Sequence, residues 1–243
     1  MIHSFHLAET PVHATLGALL WPPRPARVPG LVHAECMTVM TLGAGIVSPA
    51  RLQLRRLAVF ASWRDPDSLD GFLAETRLGR RLADGWHVRL TYLRRWGRVE
   101  ALDQLPAPAA QPDPFEPVVA ITLARMRLLE VPRFVRWGRP VERLVRDHPG
   151  TTLAGAAMRL PRTVCTFSIW RSQREMTDMV RGVGSLPDPD RHALAMVERA
   201  RRPFHHEFTT LRFRCLSEHG EWVGRRALVP AVQGRSVERT LAP

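Results

Sequence analysis

The sequence predicts an α+β fold built from two copies of one strand–helix module, and three observations carry that prediction. Residues 60–73 read FASWRDPDSLDGFL and residues 167–180 read FSIWRSQREMTDMV. Aligned without a gap, Phe60, Trp63 and Arg64 fall on Phe167, Trp170 and Arg171, and Leu69, Phe72 and Leu73 fall on Met176, Met179 and Val180. A period of about half the chain signals an internal repeat. Segments with period-two alternation, such as WHVRLTYLR at 86–94 and TTLRFRC at 209–215, read as half-buried strands. Between the halves, residues 101–117 hold five prolines, which excludes a helix or a central strand.

Each half then reads in order. Residues 2–7 and 118–126 are apolar runs of strand length, followed by helical patterns at about 10–21 and 130–147. Pro29-Gly30 and Pro149-Gly150 close those helices and open a second strand. A third strand ends at Trp63 or Trp170. Asp65-Pro66 and Ser172 supply helix-start chemistry, because their oxygens accept bonds from unpaired first-turn N–H groups. A last strand follows. The order β-α-β-β-α-β is ferredoxin-like. Such a sheet carries helices on one face and needs cover on the other. Two sheets in one chain cover each other, giving an intrachain version of a dimeric α/β barrel. The expected organisation is a first repeat at 1–100, a linker of polyproline character at 101–117, a second repeat at 118–216 and a partly disordered tail at 217–243. The space between sheet and helices of one half is the expected apolar pocket.

Composition narrows the chemistry. The 243 residues are 24% charged and 45% hydrophobic, which fits a globular chain rather than a disordered or collagenous one. All 35 basic residues are Arg, against 23 Asp and Glu, for a net charge of +12. Such a charge favours contact with anionic surfaces, lipid headgroups included. No helix-turn-helix, RRM or zinc-finger pattern accompanies it, so nucleic acid ranks last among partners. The runs Arg80-Arg81, Arg94-Arg95 and 199–202 read as solvated faces. No apolar run is long enough to span a bilayer, and no basic segment precedes residues 14–21 as in a signal peptide, so a cytoplasmic protein is expected. Cys36, Cys165 and Cys215 lie in apolar or alternating segments and read as buried free thiols.

No GxSxG, Walker, HExxH, CxxC or dinucleotide fingerprint is found, and no catalytic side chain is assigned. The loop Leu42-Gly43-Ala44-Gly45 leads to Ile46 and Pro49 rather than a helix, so it reads as a strand connection. The densest set of histidines lies in the second half, around the last helix. His192 opens the last helix and shares a face with Met196 and Arg199, at i+4 and i+7. One imidazole suffices to ligate a haem iron, and an Arg nearby can pair with a propionate. The competing reading of His192 is a partly exposed helix residue, and the residues alone favour it. His205, His206 and Glu207 form a second metal candidate without a fourth ligand at useful spacing; adjacent histidines face opposite ways in a strand, so one is solvated. Trp137, in the stretch FVRWGRP, reads equally as a pocket wall and as packing.

The stretch VVAITLARMR, the Phe134-x-x-Trp137-Gly-Arg-Pro140 run, Thr166-Phe167-Ser168-Ile169-Trp170, His192-Ala193, Glu207 and Arg212-Phe213-Arg214 together resemble the spheroidene monooxygenase family, the carotenoid ketolases. LAVFASW at 57–63 and Trp86 extend the likeness over about residues 2–216. The segment Phe204-His205-His206-Glu207 departs from the family's aromatic-acidic pattern there, and the linker is Pro-rich rather than aromatic. The resemblance implies haem as cofactor, His192 as its axial ligand with Arg199 beside it, and oxidation of a hydrophobic, carotenoid or isoprenoid substrate. Trp137, Phe167 and Trp170 are the expected pocket residues. An electron-donor protein and a peripheral contact with an anionic membrane complete the expected partners. The alternative is a non-catalytic protein of the same fold that carries haem or a small apolar ligand.

Overall fold

The computed structural model describes residues 1–43, 48, 52–105, 113–183 and 187–231. Among them run eight strands and six helices: β1 (Ile2–Glu9), α1 (Val12–Leu20), β2 (Leu31–Met40), β3 (Gln53–Trp63), α2 (Pro66–Glu75), α3 (Arg77–Ala83), β4 (Trp86–Arg98), β5 (Val118–Met126), α4 (Val131–Asp147), β6 (Thr151–Arg159), β7 (Thr163–Trp170), α5 (Gln173–Arg181), α6 (Arg191–Arg201) and β8 (His205–His219). The strands close into one antiparallel barrel in the order β1-β3-β2-β6-β7-β5-β8-β4. Within it the first half runs β4-β1-β3-β2 and the second β8-β5-β7-β6.

Local chemistry starts the helices where the sequence places them. Asp65 accepts the Ser68 N–H at 2.8 Å, with Pro66 in the first turn of α2. Ser172 Oγ accepts the Glu175 N–H at 3.1 Å to start α5, and Gly182, at φ +75°, ends it in the left-handed conformation that glycine adopts freely. The first half adds α3, whose Leu82 is fully buried.

Two seams join the halves. Strand β4 pairs with β8 from His87–His219 to Arg98–Phe208, whereas β2 meets β6 only from Thr38–Met158 to Met40–Ala156. A buried charge cluster crosses between the halves beside the short seam. Glu35 of β2 is ion-paired with Arg125 of β5 and lies 2.9 Å from Arg159 of β6 and 3.3 Å from His33. Burial pushes the Glu35 carboxyl up, but the hydrogen-bonding and charged groups of His33 and Arg125 overcome it and hold the group at about 2.

The barrel interior is largely filled, apart from a cavity of about 210 Å³ lined by Phe5, Leu7, Leu153 and Phe167 among others. Phe5 stacks on Phe167 at 4.0 Å, Trp86 meets Phe167 edge-on at 5.7 Å, and Phe60, Leu211 and Phe213 are fully buried beside them. Cys36 and Cys165 are buried thiols; burial raises both, Cys36 to about 12.

Three features refine the expectations. The Phe167 ring packs against Phe5 and Trp86 in the barrel core, and the residue also lines the pocket. The tail does not lose order at 217: β8 continues to His219, and Leu228 is buried against the core, with its N–H and that of Val229 bonded to the Glu218 carboxylate at 2.8 and 2.9 Å. The linker likewise begins packed, with Leu102 buried in a short turn of 3-10 helix; its residues 106–112 lie outside those described, as do residues 44–47 of the glycine-rich loop and residues 232–243 of the tail. Leu102 and Leu228, too isolated for a periodic signal, both join the barrel's core cluster.

Removing one member of a buried ion cluster strands the others. Glu35→Gln is therefore expected to destabilise the protein by roughly 3–5 kcal/mol in urea unfolding, and an unchanged midpoint would show that the short seam holds without it.

Candidate functional site

The two halves differ in what lies between sheet and helices. In the first half Trp63, Leu69, Phe72, Leu73 and Leu82 pack into a continuous core. In the second half the same layer encloses a cavity of about 1090 Å³. Its floor is the outer face of the sheet, paved with short side chains: Ala120, Thr122, Thr166, Ser168 and Thr210. Thr122 and Thr210 face each other across β5 and β8 with their hydroxyls 3.2 Å apart. Helices α4, α5 and α6 form the walls and roof through Phe134, Trp137, Val141, Met176, Met179 and Met196.

Period-two geometry explains the split. Along β8, Thr209, Leu211 and Phe213 point into the barrel and are fully buried, so Phe208, Thr210 and Arg212 stand on the cavity side.

The roof helix α6 lays His192, Ala195, Met196 and Arg199 along the cavity. None of its residues is fully buried, and Val197 on the outer face is 67% exposed. Ion pairs tie it down instead. Glu198 is paired with Arg133 of α4, and Arg202 with Glu130, while Arg133 also reaches Glu130 at 2.7 Å and stacks over Phe204 at 4.1 Å.

All five residues singled out from the sequence touch this cavity: Trp137, Phe167, Trp170, His192 and Arg199. Trp170 is a buried wall residue whose Nε1 donates to Ser168 Oγ at 2.9 Å. The Nδ1 of His192 is buried without a partner, and burial lowers the basicity of the ring. His192 is partly exposed, as that reading expects, and it lines the cavity as well. Arg199 lies over the Phe208 ring at 3.8 Å and forms no ion pair among the described residues.

His205 was seen in the sequence only as half of a dubious metal pair. It is buried, His206 is exposed, and no three ligating side chains converge among the described residues. Both His205 nitrogens are unpartnered, and the ring sits among Phe134, Phe204 and Phe208 at 5.2–5.9 Å. Burial, then the Arg199 charge, pulls it down to about 4, so it is neutral at pH 7. Leu42 also lines the cavity, and Gly43, at φ +74°, donates its N–H to the α4 carboxylate of Glu142 at 2.6 Å. No helix among the described residues is long and apolar enough to cross a membrane.

No protein-family model matches the chain, and no curated protein matches it. Solved structures do. An aldoxime dehydratase in complex with butyraldoxime matches at 10% identity and a TM-score of 0.54, over 88% of this chain and 79% of that one. A monooxygenase-like protein from Listeria innocua matches at 11% identity and 0.28, over 86% and 93%. A heme-degrading enzyme from Listeria monocytogenes matches at 10% and 0.28, over 86% and 98%. At these identities the likeness is one of fold.

Burial also depresses His87 to about 4. Unfolded imidazoles titrate near 6.5, so below that pH the unfolded chain takes up protons that the folded chain refuses. Stability is expected to fall between about pH 6.5 and 4, with Glu35 and Glu198 acting only in a lower window, below their ordinary 4.5. Thermal melts of wild type and His205→Phe test this: the variant should lose part of that slope, and an identical slope would mean that His205 is not buried.

Proposed function

We propose that the chain is a haem-dependent oxygenase of the spheroidene monooxygenase type, acting on a hydrophobic, carotenoid or isoprenoid substrate held in the second-half cavity. The observation that carries the reading is a roomy apolar chamber whose roof presents a histidine with a buried, unpartnered Nδ1. We also infer that the equal strand orders of the two halves reflect tandem ferredoxin-like repeats, an intrachain form of the dimeric α/β barrel.

The residues fit haem. The Nδ1 of His192 is buried at the cavity without a partner, which leaves a ring nitrogen free for iron. Arg199 brings a charge with no carboxylate partner, suited to a propionate. Bound haem would supply the electron-transfer and oxygen chemistry that the cavity's side chains lack. The chain's own part is to exclude water with Phe134, Trp137 and Met196, and to offer at His205 a neutral imidazole against the ligand. The Arg-rich surface suits docking on an anionic membrane, where such substrates dissolve, and an electron-donor protein would be the redox partner.

Protein reconstituted with haem should show a Soret band that His192→Ala abolishes or shifts. No band after reconstitution would remove the chemistry. With reductant, oxygen and a carotenoid, His205→Ala should keep the band and slow turnover by roughly 100-fold. A band without turnover in wild type would favour the alternative, a non-catalytic carrier.

A further inference from the structure

The cavity carries a second feature, formed by three of its lining residues, Arg94, Arg181 and Arg212. Arg94 and Arg212 stand directly opposite one another in the β4–β8 register. Both guanidinium groups lie against the same indole, that of Trp96, at 4.1 and 4.4 Å. Like charges set opposite each other across a sheet are unfavourable. Arg181, the last residue of α5, adds a third charge to the same group.

Arg212 is the base of the group. It is only 8% exposed, its Nε is buried without a partner, and its one polar contact is a 3.4 Å bond to the Thr177 hydroxyl. Burial, then the charges of Arg94 and Arg181, pulls it down to about 10. Two carboxylates line the cavity, and neither answers it: Glu142 is bonded to the Gly43 N–H, and Asp178 pairs with Arg174 at 3.7 Å. None of Arg94, Arg181 and Arg212 forms an ion pair among the described residues. Arg181 also complements the C-terminal dipole of α5, but that accounts for neither Arg212 nor Arg94. A buried guanidinium is ordinarily retained with an anion.

We propose that Arg212, together with Arg94 and Arg181, is an anion subsite that takes the carboxylate or phosphate of an amphipathic ligand whose apolar body runs into the cavity. The inference rests on the cavity being the ligand chamber, not on what chemistry occurs in it. A carboxylate here comes either from an acidic substrate or from a haem propionate. Position favours neither: His205 is seven residues from Arg212 along β8, about 20 Å, whereas His192 lines the cavity together with Val180 and Arg181.

The test uses the full chain without haem and a fluorescent polyene fatty acid, cis-parinaric acid, beside its methyl ester. The acid should bind at least tenfold tighter than the ester, and Arg212→Gln should remove that preference while leaving ester binding. Arg94→Gln, at an exposed position that cannot compromise folding, should reduce the preference by a smaller factor. In a parallel arm haem is titrated against haem dimethyl ester. Loss of the acid preference for haem alone on Arg212→Gln assigns the subsite to propionate; loss for the fatty acid assigns it to substrate. If esters bind as well as acids in both arms, or if the preference survives both substitutions, the subsite is overturned while the chamber stands. If no probe binds, both fall.

Discussion

Closure of the sheet on itself is the constraint on which the molecule depends. An open four-stranded sheet with helices on one face would leave a greasy surface and two unpaired edges. Here each half covers the other, and the edges are consumed in the seams β4–β8 and β2–β6. The seams are unequal, and the Glu35 cluster compensates for the shorter one by placing a first-half carboxylate between second-half guanidinium groups. Phe5, Phe60, Trp86, Phe167 and Phe213 fill most of the barrel, leaving a cavity of about 210 Å³ against its core. The far larger chamber lies outside, between sheet and helices.

Why the second half has this chamber between sheet and helices follows from the residues that the ungapped alignment pairs. The first half plugs the layer with Phe72 and Leu73 from α2 and Leu82 from α3. The second half places Met179 and Val180 at the corresponding places, and its last helix stands over the space rather than in it. The sheet beneath changes in step: Val59 and Ala61 of the first half correspond to Thr166 and Ser168 in the second. A polar, short-sided floor and a roof held by ion pairs go with a space meant to be filled by something else.

Much of this was legible in the sequence. The Trp-Arg repeat, the caps at Asp65 and Ser172 and the alternation of β4 and β8 are local signals, and they located the elements to within a few residues. His192, Met196 and Arg199 share a face because helical spacing puts them there. What could not be read depends on contacts between distant segments. Arg94 looked like a solvated arginine, and it joins Arg212 only through the register of β4 on β8. His205 looked half solvated, and its isolation comes from Phe134 on another helix. The Phe167 ring faces inward because of strand parity, which a motif match ignores.

One consequence follows from the alternation along β8. Residues Thr209, Leu211 and Phe213 knit the barrel, while Phe208, Thr210 and Arg212 on the opposite face meet whatever enters from outside. Durability and selectivity are thus written on alternate letters of the same strand. A lineage can respell one set without disturbing the other, so this scaffold can drift toward new ligands while its melting behaviour stays put.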